Sequence, residues 1–132
     1  MSFEAGSSEN WLLWARTDLR MGRVLAAEDD LPSWGAAFHF QQAAEKALKC
    51  MLVFADRKLP KTHDLTELVR LVNEAGLEAF VLGWPDYLNE MNDFAVLNRY
   101  PGDVELPGAD ELALAEATAE ILVGYASRAV EG

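Results

Sequence analysis

The sequence predicts an all-α protein, an up-and-down antiparallel helical bundle of four main helices plus a short helix. Three observations carry that prediction. Apolar residues recur at three- and four-residue steps over long uninterrupted stretches. No stretch shows the two-residue alternation of a half-buried strand. The breaks hold proline, glycine and aspartate, which stop and start helices. There is no internal repeat, low-complexity tract or linker, so residues 1–132 read as a single domain, with 1–9 a loose polar lead-in. At 132 residues, 51% apolar and 25% charged, the chain can bury a core without metal or disulfide.

The first helix is expected from about Asn10 to Ala27, with Ser7 or Ser8 as its cap. Trp11, Leu12, Ala15, Leu19, Gly22 and Ala26 share one side. Arg16, Arg20 and Arg23 line another, the only basic stripe in the chain. Such a stripe pairs with acids on a neighbouring helix or faces phosphate, and the first reading ranks first. Residues Glu28 to Pro32 break the pattern; Asp30 can cap, and proline is tolerated in a first turn.

The second helix is expected from about Ser33 to Phe54. Within it Phe40, Ala44, Ala47, Leu48 and Met51 make one apolar stripe. His39, Gln42, Glu45, Lys46 and Lys49 fall on the other side, which spacing alone makes a solvated face. Ala55 to Lys61 is a basic loop with Arg57, Lys58 and Lys61. Asp64 with Glu67 resembles a capping box and opens a short third helix, with Leu65, Leu68, Val69 and Val72 inward and Ala75-Gly76 at its end.

Leu77 to Leu82 reads as a helical turn or two before the break at Gly83-Trp84-Pro85. Asp86 caps a further helix to about Asn98, using Leu88, Met91 and Ala95, and Arg99-Tyr100-Pro101-Gly102 stops it. After the acidic loop Asp103 to Gly108, the last helix runs from about Ala109 to Ala129. It presents Leu112, Ala115, Ala119, Leu122, Ala126 and Ala129 on one side, and Asp110 and Glu111 suit its positive end.

Acids outnumber Lys and Arg 22 to 11, a net charge of −11. That opposes non-specific attraction to nucleic acid or to an anionic membrane. The single cysteine, Cys50, makes no internal disulfide, fits a reducing cytoplasm and reads as a packed structural thiol. The first residues do not form a signal peptide, and no run is pure enough to span a membrane. Two histidines and one cysteine, with no HExxH, CxxC or Glu-x-x-His spacing, give no metal site. No glycine cradle for phosphate is present, and no cofactor is implied. What remains is arginine with histidine. Arginine can hold a phosphate while histidine moves a proton, a workable chemistry for cutting RNA through its 2′-hydroxyl. Arg57 and His63, separated by five residues in RKLPKTH, are one such pair, but the simpler expectation is an exposed Arg57 and a His63 that packs or bonds at the start of the third helix.

Four segments taken in order, WLLWARTDL at 11–19, QQAAEKALK at 41–49, THDL at 62–65 and RYPG at 99–102, resemble the HEPN family of small all-α domains. The resemblance spans nearly the whole chain and is nearest to short bacterial and archaeal members, often linked to a separate minimal nucleotidyltransferase. It implies a HEPN-like bundle, a symmetric homodimer, and a nucleotide or RNA ligand. Several branches are ribonucleases of toxin and defence systems, with an arginine followed four to six residues later by histidine near the start of the final helix. Arg99 matches that arginine; Asp103-Val104-Glu105 stand where the histidine would be, so the nuclease mechanism is not carried over. Arg99 and His63 stay as the catalytic candidates. The ligand-binding set that the resemblance and the polar pattern imply is Gln42, Glu45, Lys49, His63, Asp64, Arg99 and Tyr100.

The leading expectation is a binding and dimerisation module that partners a nucleotidyltransferase in a two-component, toxin–antitoxin or defence-like system. The alternatives are a metal-independent ribonuclease toxin using Arg99, and a structural adaptor without ligand. Gln42, Glu45, Lys49, His63 and Arg99 dispersed without a common cleft would favour the adaptor; convergence of several of them on one cleft would count against it.

Overall fold

In the computed structural model, which describes residues 6–77, 86–97 and 105–132, five α-helices pack together and no strand occurs among the described residues. They are α1 Ser8–Ala26, α2 Trp34–Phe54, α3 Leu65–Glu74, α4 Asp86–Asn92, which tightens into a 3-10 turn at Asp93–Ala95, and α5 Ala109–Glu131. None is long and apolar enough to cross a membrane.

Helix α2 is the centre. Ala36, Ala37, Ala43, Ala44 and Ala47 are all buried, and small side chains on several sides let α1, α3 and α5 all approach it. The core closes around Phe40, Leu48 and Met51 from α2, Leu12 and Leu19 from α1, Leu65 and Leu68 from α3, and Leu122 from α5. This corrects the expectation of a solvated polar face on α2. Gln41, Glu45 and Lys49 are buried, while His39, Gln42 and Lys46 are half-buried. A helix surrounded on so many sides keeps little free surface, so its buried polar side chains must find partners within the protein.

Helix α1 runs antiparallel to α2. Its Gly22 lies under the Phe40 ring, where an added Cβ would come within 2.5 Å of a ring carbon. Helix α1 begins two residues earlier than expected because the Ser7 side chain accepts from the Asn10 amide at 3.1 Å. Leu25, not the exposed Ala26, packs against the core at its far end. Along α5, Arg16 meets Glu131 at 2.7 Å, and Arg23 meets Glu116 at 2.9 Å and Glu120 at 3.2 Å. These exposed pairs fix orientation more than they add stability, each being worth ~0–1 kcal/mol. The third arginine of the stripe, Arg20, has no carboxylate partner among the described residues.

Asp30 does not cap α2, which starts at Trp34 without a side-chain cap bond. At its other end Asp56 adopts the left-handed conformation, φ 59°, and the Arg57 amide reaches back to the Leu52 carbonyl at 2.9 Å. The loop then doubles back along α2, bringing His63 beside Glu45. Asp64 caps α3 as expected, accepting from the Thr66 amide at 3.0 Å. The expected box partner Glu67 instead pairs with Arg70. Asn92 completes the cap from a distance: its Oδ1 accepts from the Leu65 amide and its Nδ2 donates to Asp64, both at 2.9 Å. Asn92 is therefore committed to α3, and α4 ends there, not near Asn98. Asp86 is the first residue of α4, not its cap. The expected turn within Leu77 to Leu82 lies, from residue 78 on, outside the described residues. Helix α5 starts at Ala109 as expected, with Asp110 and Glu111 in its first turn, and ends two residues past Ala129.

Cys50 is buried, and its thiol donates to the Ser8 carbonyl at 3.3 Å. Burial, with Glu9 nearby, pushes the thiol up to about 12.

Two outcomes follow from this packing. Gly22→Ala gains ~1 kcal/mol of helix propensity but drives a methyl into the fully buried Phe40 ring, an overpacking cost of ~1–3 kcal/mol. The variant should lose stability, seen as a lower urea midpoint. Cys50 keeps its proton in the folded state beyond the pH at which the unfolded chain releases it. Its contribution is present below the unfolded thiol's value and is lost as pH rises above it. Between about pH 8 and 10, the urea midpoint of the parent should therefore fall more steeply than that of Cys50→Ala.

Candidate functional site

Gln41, Glu45 and Lys49 stand one turn apart on α2, so their side chains share one face. That face meets the returning loop before α3. Glu45 is 5% exposed and Lys49 8%, and Gln41 is fully buried. The Glu45 carboxylate is the hub. Its Oε2 accepts from Lys49 Nζ at 2.9 Å and from His63 Nδ1 at 2.9 Å. Its Oε1 accepts from Gln41 Nε2 at 3.4 Å, and Gln41 Oε1 accepts from Gln42 Nε2 at 2.6 Å. No buried side-chain nitrogen or oxygen among the described residues lacks a partner. The penalty for taking the carboxylate out of water is offset by an adjacent ammonium and two further donors.

The geometry assigns the histidine. An ionised carboxylate only accepts, so Nδ1 is the nitrogen that carries hydrogen toward Glu45, and Nε2 lies on the other side of the ring. The His63 side chain is 78% exposed, although it touches a carboxylate that is 7% exposed. A carboxylate behind Nδ1 and an accessible Nε2 form an arrangement able to take a proton from a bound hydroxyl or, when charged, to hold a phosphate oxygen.

Of the residues singled out from sequence, Gln42, Glu45, Lys49 and His63 join one hydrogen-bonded network. Asp64 is adjacent in the chain but is engaged as the α3 cap with Thr66 and Asn92. Arg99 and Tyr100 lie outside the described residues. Arg57 is exposed and shares a depression with Leu52 and Leu71 further along α2.

Sequence reasoning missed Gln41, the buried middle link; its one-turn spacing from Glu45, and Glu45's from Lys49, was the available signal. It also missed Asp18, which is 6% exposed and accepts from His39 Nδ1 at 2.8 Å and Lys46 Nζ at 2.5 Å. The clue was an acid set inside the apolar stripe between Ala15, Leu19 and Gly22. No group of three or more His, Cys, Asp or Glu among the described residues could hold a metal ion.

The family model of the HEPN domain matches residues 8–131. No curated protein and no solved structure matches the chain.

The network predicts an asymmetry in stability. Lys49→Met strands the Glu45 charge in the interior and should cost about 3 kcal/mol. Adding Glu45→Gln removes that charge and keeps an acceptor for Gln41, so the double variant should be more stable than Lys49→Met alone. Urea unfolding of the three proteins checks this.

Proposed function

The chain belongs to the HEPN domain family, a family of nucleotide- or RNA-associated helical modules, and from that premise we propose that it is a cytoplasmic binding and dimerisation module. Its ligand is a nucleotide or RNA, and its protein partner is a nucleotidyltransferase in a two-component, toxin–antitoxin or defence-like system. One observation supports the reading above the others: the Glu45 network is sealed at Gln41 and open at His63. It offers an accessible imidazole, with Lys49 behind it, for a phosphate or a ribose hydroxyl. Arg99 and Tyr100 belong to the proposed site through the RYPG resemblance. The net charge of −11 argues for recognition by such local groups, since long-range attraction to nucleic acid is unfavourable.

A second reading, a metal-independent ribonuclease, is favoured by the Glu45–His63 pair. Nε2 of His63 would take the proton of a 2′-hydroxyl as that oxygen attacks the adjacent phosphorus, the bond from phosphorus to the 5′-oxygen breaks, and the departing 5′-oxygen takes a proton from water. Glu45 would balance the imidazolium, and Arg99 would hold the phosphate.

Titration of the protein with ATP and with short single-stranded RNA, read by calorimetry, separates the readings. Binding without cleavage, weakened at least about tenfold in His63→Ala, is the expected result. Cleavage in the presence of EDTA, abolished in His63→Ala and Arg99→Ala, would establish the second reading. Absence of both, with no association with a nucleotidyltransferase encoded beside it, would overturn the proposal. Light scattering should give twice the chain mass.

A further inference from the structure

The second carboxylate–histidine pair does not belong to the Glu45 network. Asp18, on α1, is buried between α1 and α2 and binds His39 Nδ1 and Lys46 Nζ, both from α2. As with His63, the carboxylate takes Nδ1 and leaves Nε2 for other contacts. His39 lines two adjoining depressions. One, about 500 Å³, is lined by Thr17, Arg20, Met21, Val24 and Leu25. The other, about 260 Å³, lies beyond Leu25, beside Leu31 and Trp34. Together they have the size of a small-molecule site.

We propose that this groove binds an amphipathic organic anion, with its apolar body on Met21, Val24 and Leu25 and its acidic head on Arg20 and His39 Nε2.

Two independent features select that chemistry. The walls are apolar and open: Met21 is 46% exposed, Val24 57% and Leu31 48%, a contiguous patch on which an apolar body loses water-facing surface. The charge is one-sided. No carboxylate lines either depression. Arg16 and Arg23, on the same stripe as Arg20, are tied to glutamates of α5, whereas Arg20 has no such tie among the described residues. In a chain with twice as many acids as bases, an arginine left beside an apolar groove favours a ligand that brings its own negative charge. Asp18, the carboxylate that holds His39, is itself paired with Lys46. His39 Nε2 donates to an anionic head when the ring carries both protons. Arg20 supplies the fixed charge, and Asp18 holds the ring in place.

The test compares three ligands of equal chain length, decanoate, decanol and decylammonium, each below its micelle concentration. They are titrated into the whole protein and followed by the amide and methyl NMR signals of Met21, Val24 and Leu25. Decanoate should bind one to one, at least about tenfold more tightly than decanol, with decylammonium weakest. Arg20→Gln, a substitution at an exposed position that leaves the core intact, should bring decanoate down to the affinity of decanol. His39→Gln should weaken decanoate as well. Equal affinity for decanoate and decanol, an unchanged Arg20→Gln, or shifts mapping elsewhere would overturn the proposal. So would concentration-dependent shifts of the same residues without ligand, because the face would then be a self-association surface.

Discussion

A carboxylate that cannot reach water has to be held from every side, and Glu45 imposes that condition on this bundle. It sits on the most enclosed helix, at 5% exposure. An isolated ionised carboxylate there would be untenable; with Lys49, Gln41 and His63 around it, it is stable. Two of those donors come from α2 itself and are in place as soon as the helix forms. The third comes from the loop after α2. Arg57 turns back through the left-handed Asp56, and the segment must return far enough for His63 to meet Glu45. The next residue, Asp64, caps α3, and Asn92 shares in that cap. The path from one charge to the end of α4 is continuous.

The same device appears a second time on α2. Asp18 is held by Lys46 and His39, as Glu45 is held by Lys49 and His63. In each case a buried carboxylate binds one lysine Nζ and one histidine Nδ1. The two units do different mechanical work. Asp18 joins α1 to α2 and, with Gly22 under Phe40, sets how closely and in what register they pack. Glu45 joins α2 to the loop. A polar contact inside an otherwise apolar interface favours one register because every slip leaves a charge unpaired, whereas Ala-rich surfaces slide with little penalty.

This explains what could be read from the chain. The helices, the Asp64 cap, the Cys50 packing and the acidic start of α5 depend on local chemistry, and the sequence shows them directly. The polar residues of α2 do not. Periodicity divides a helix into an apolar and a polar face, and it assumes that polar means wet. On α2 the alanines remove that assumption, because neighbours close in on the polar side too. Asp18 was overlooked because it lies on a face that spacing assigns to the core and its partners are on another helix, and Gln41 because its partner is a turn away on a face read as wet. The end of α4 was misplaced because the residue that stops it, Asn92, is engaged with α3, a contact across 27 positions of sequence that no local pattern contains.

The members of the Glu45 network differ sharply in exposure. Lys49 compensates the Glu45 charge at 2.9 Å, and Gln41 occupies the other oxygen. Lys49 is buried with the carboxylate that it compensates. His63 is not: its side chain is 78% exposed. An exposed histidine gains little for the bundle from a hydrogen bond that water could replace, since such a bond is worth only about 1 kcal/mol net. The imidazole gains more from the carboxylate, which fixes its tautomer, restrains its ring and turns Nε2 away from the hub. The dependence therefore runs outward from the core: Glu45 is buried and costly, and His63 is the group that it orients toward solvent.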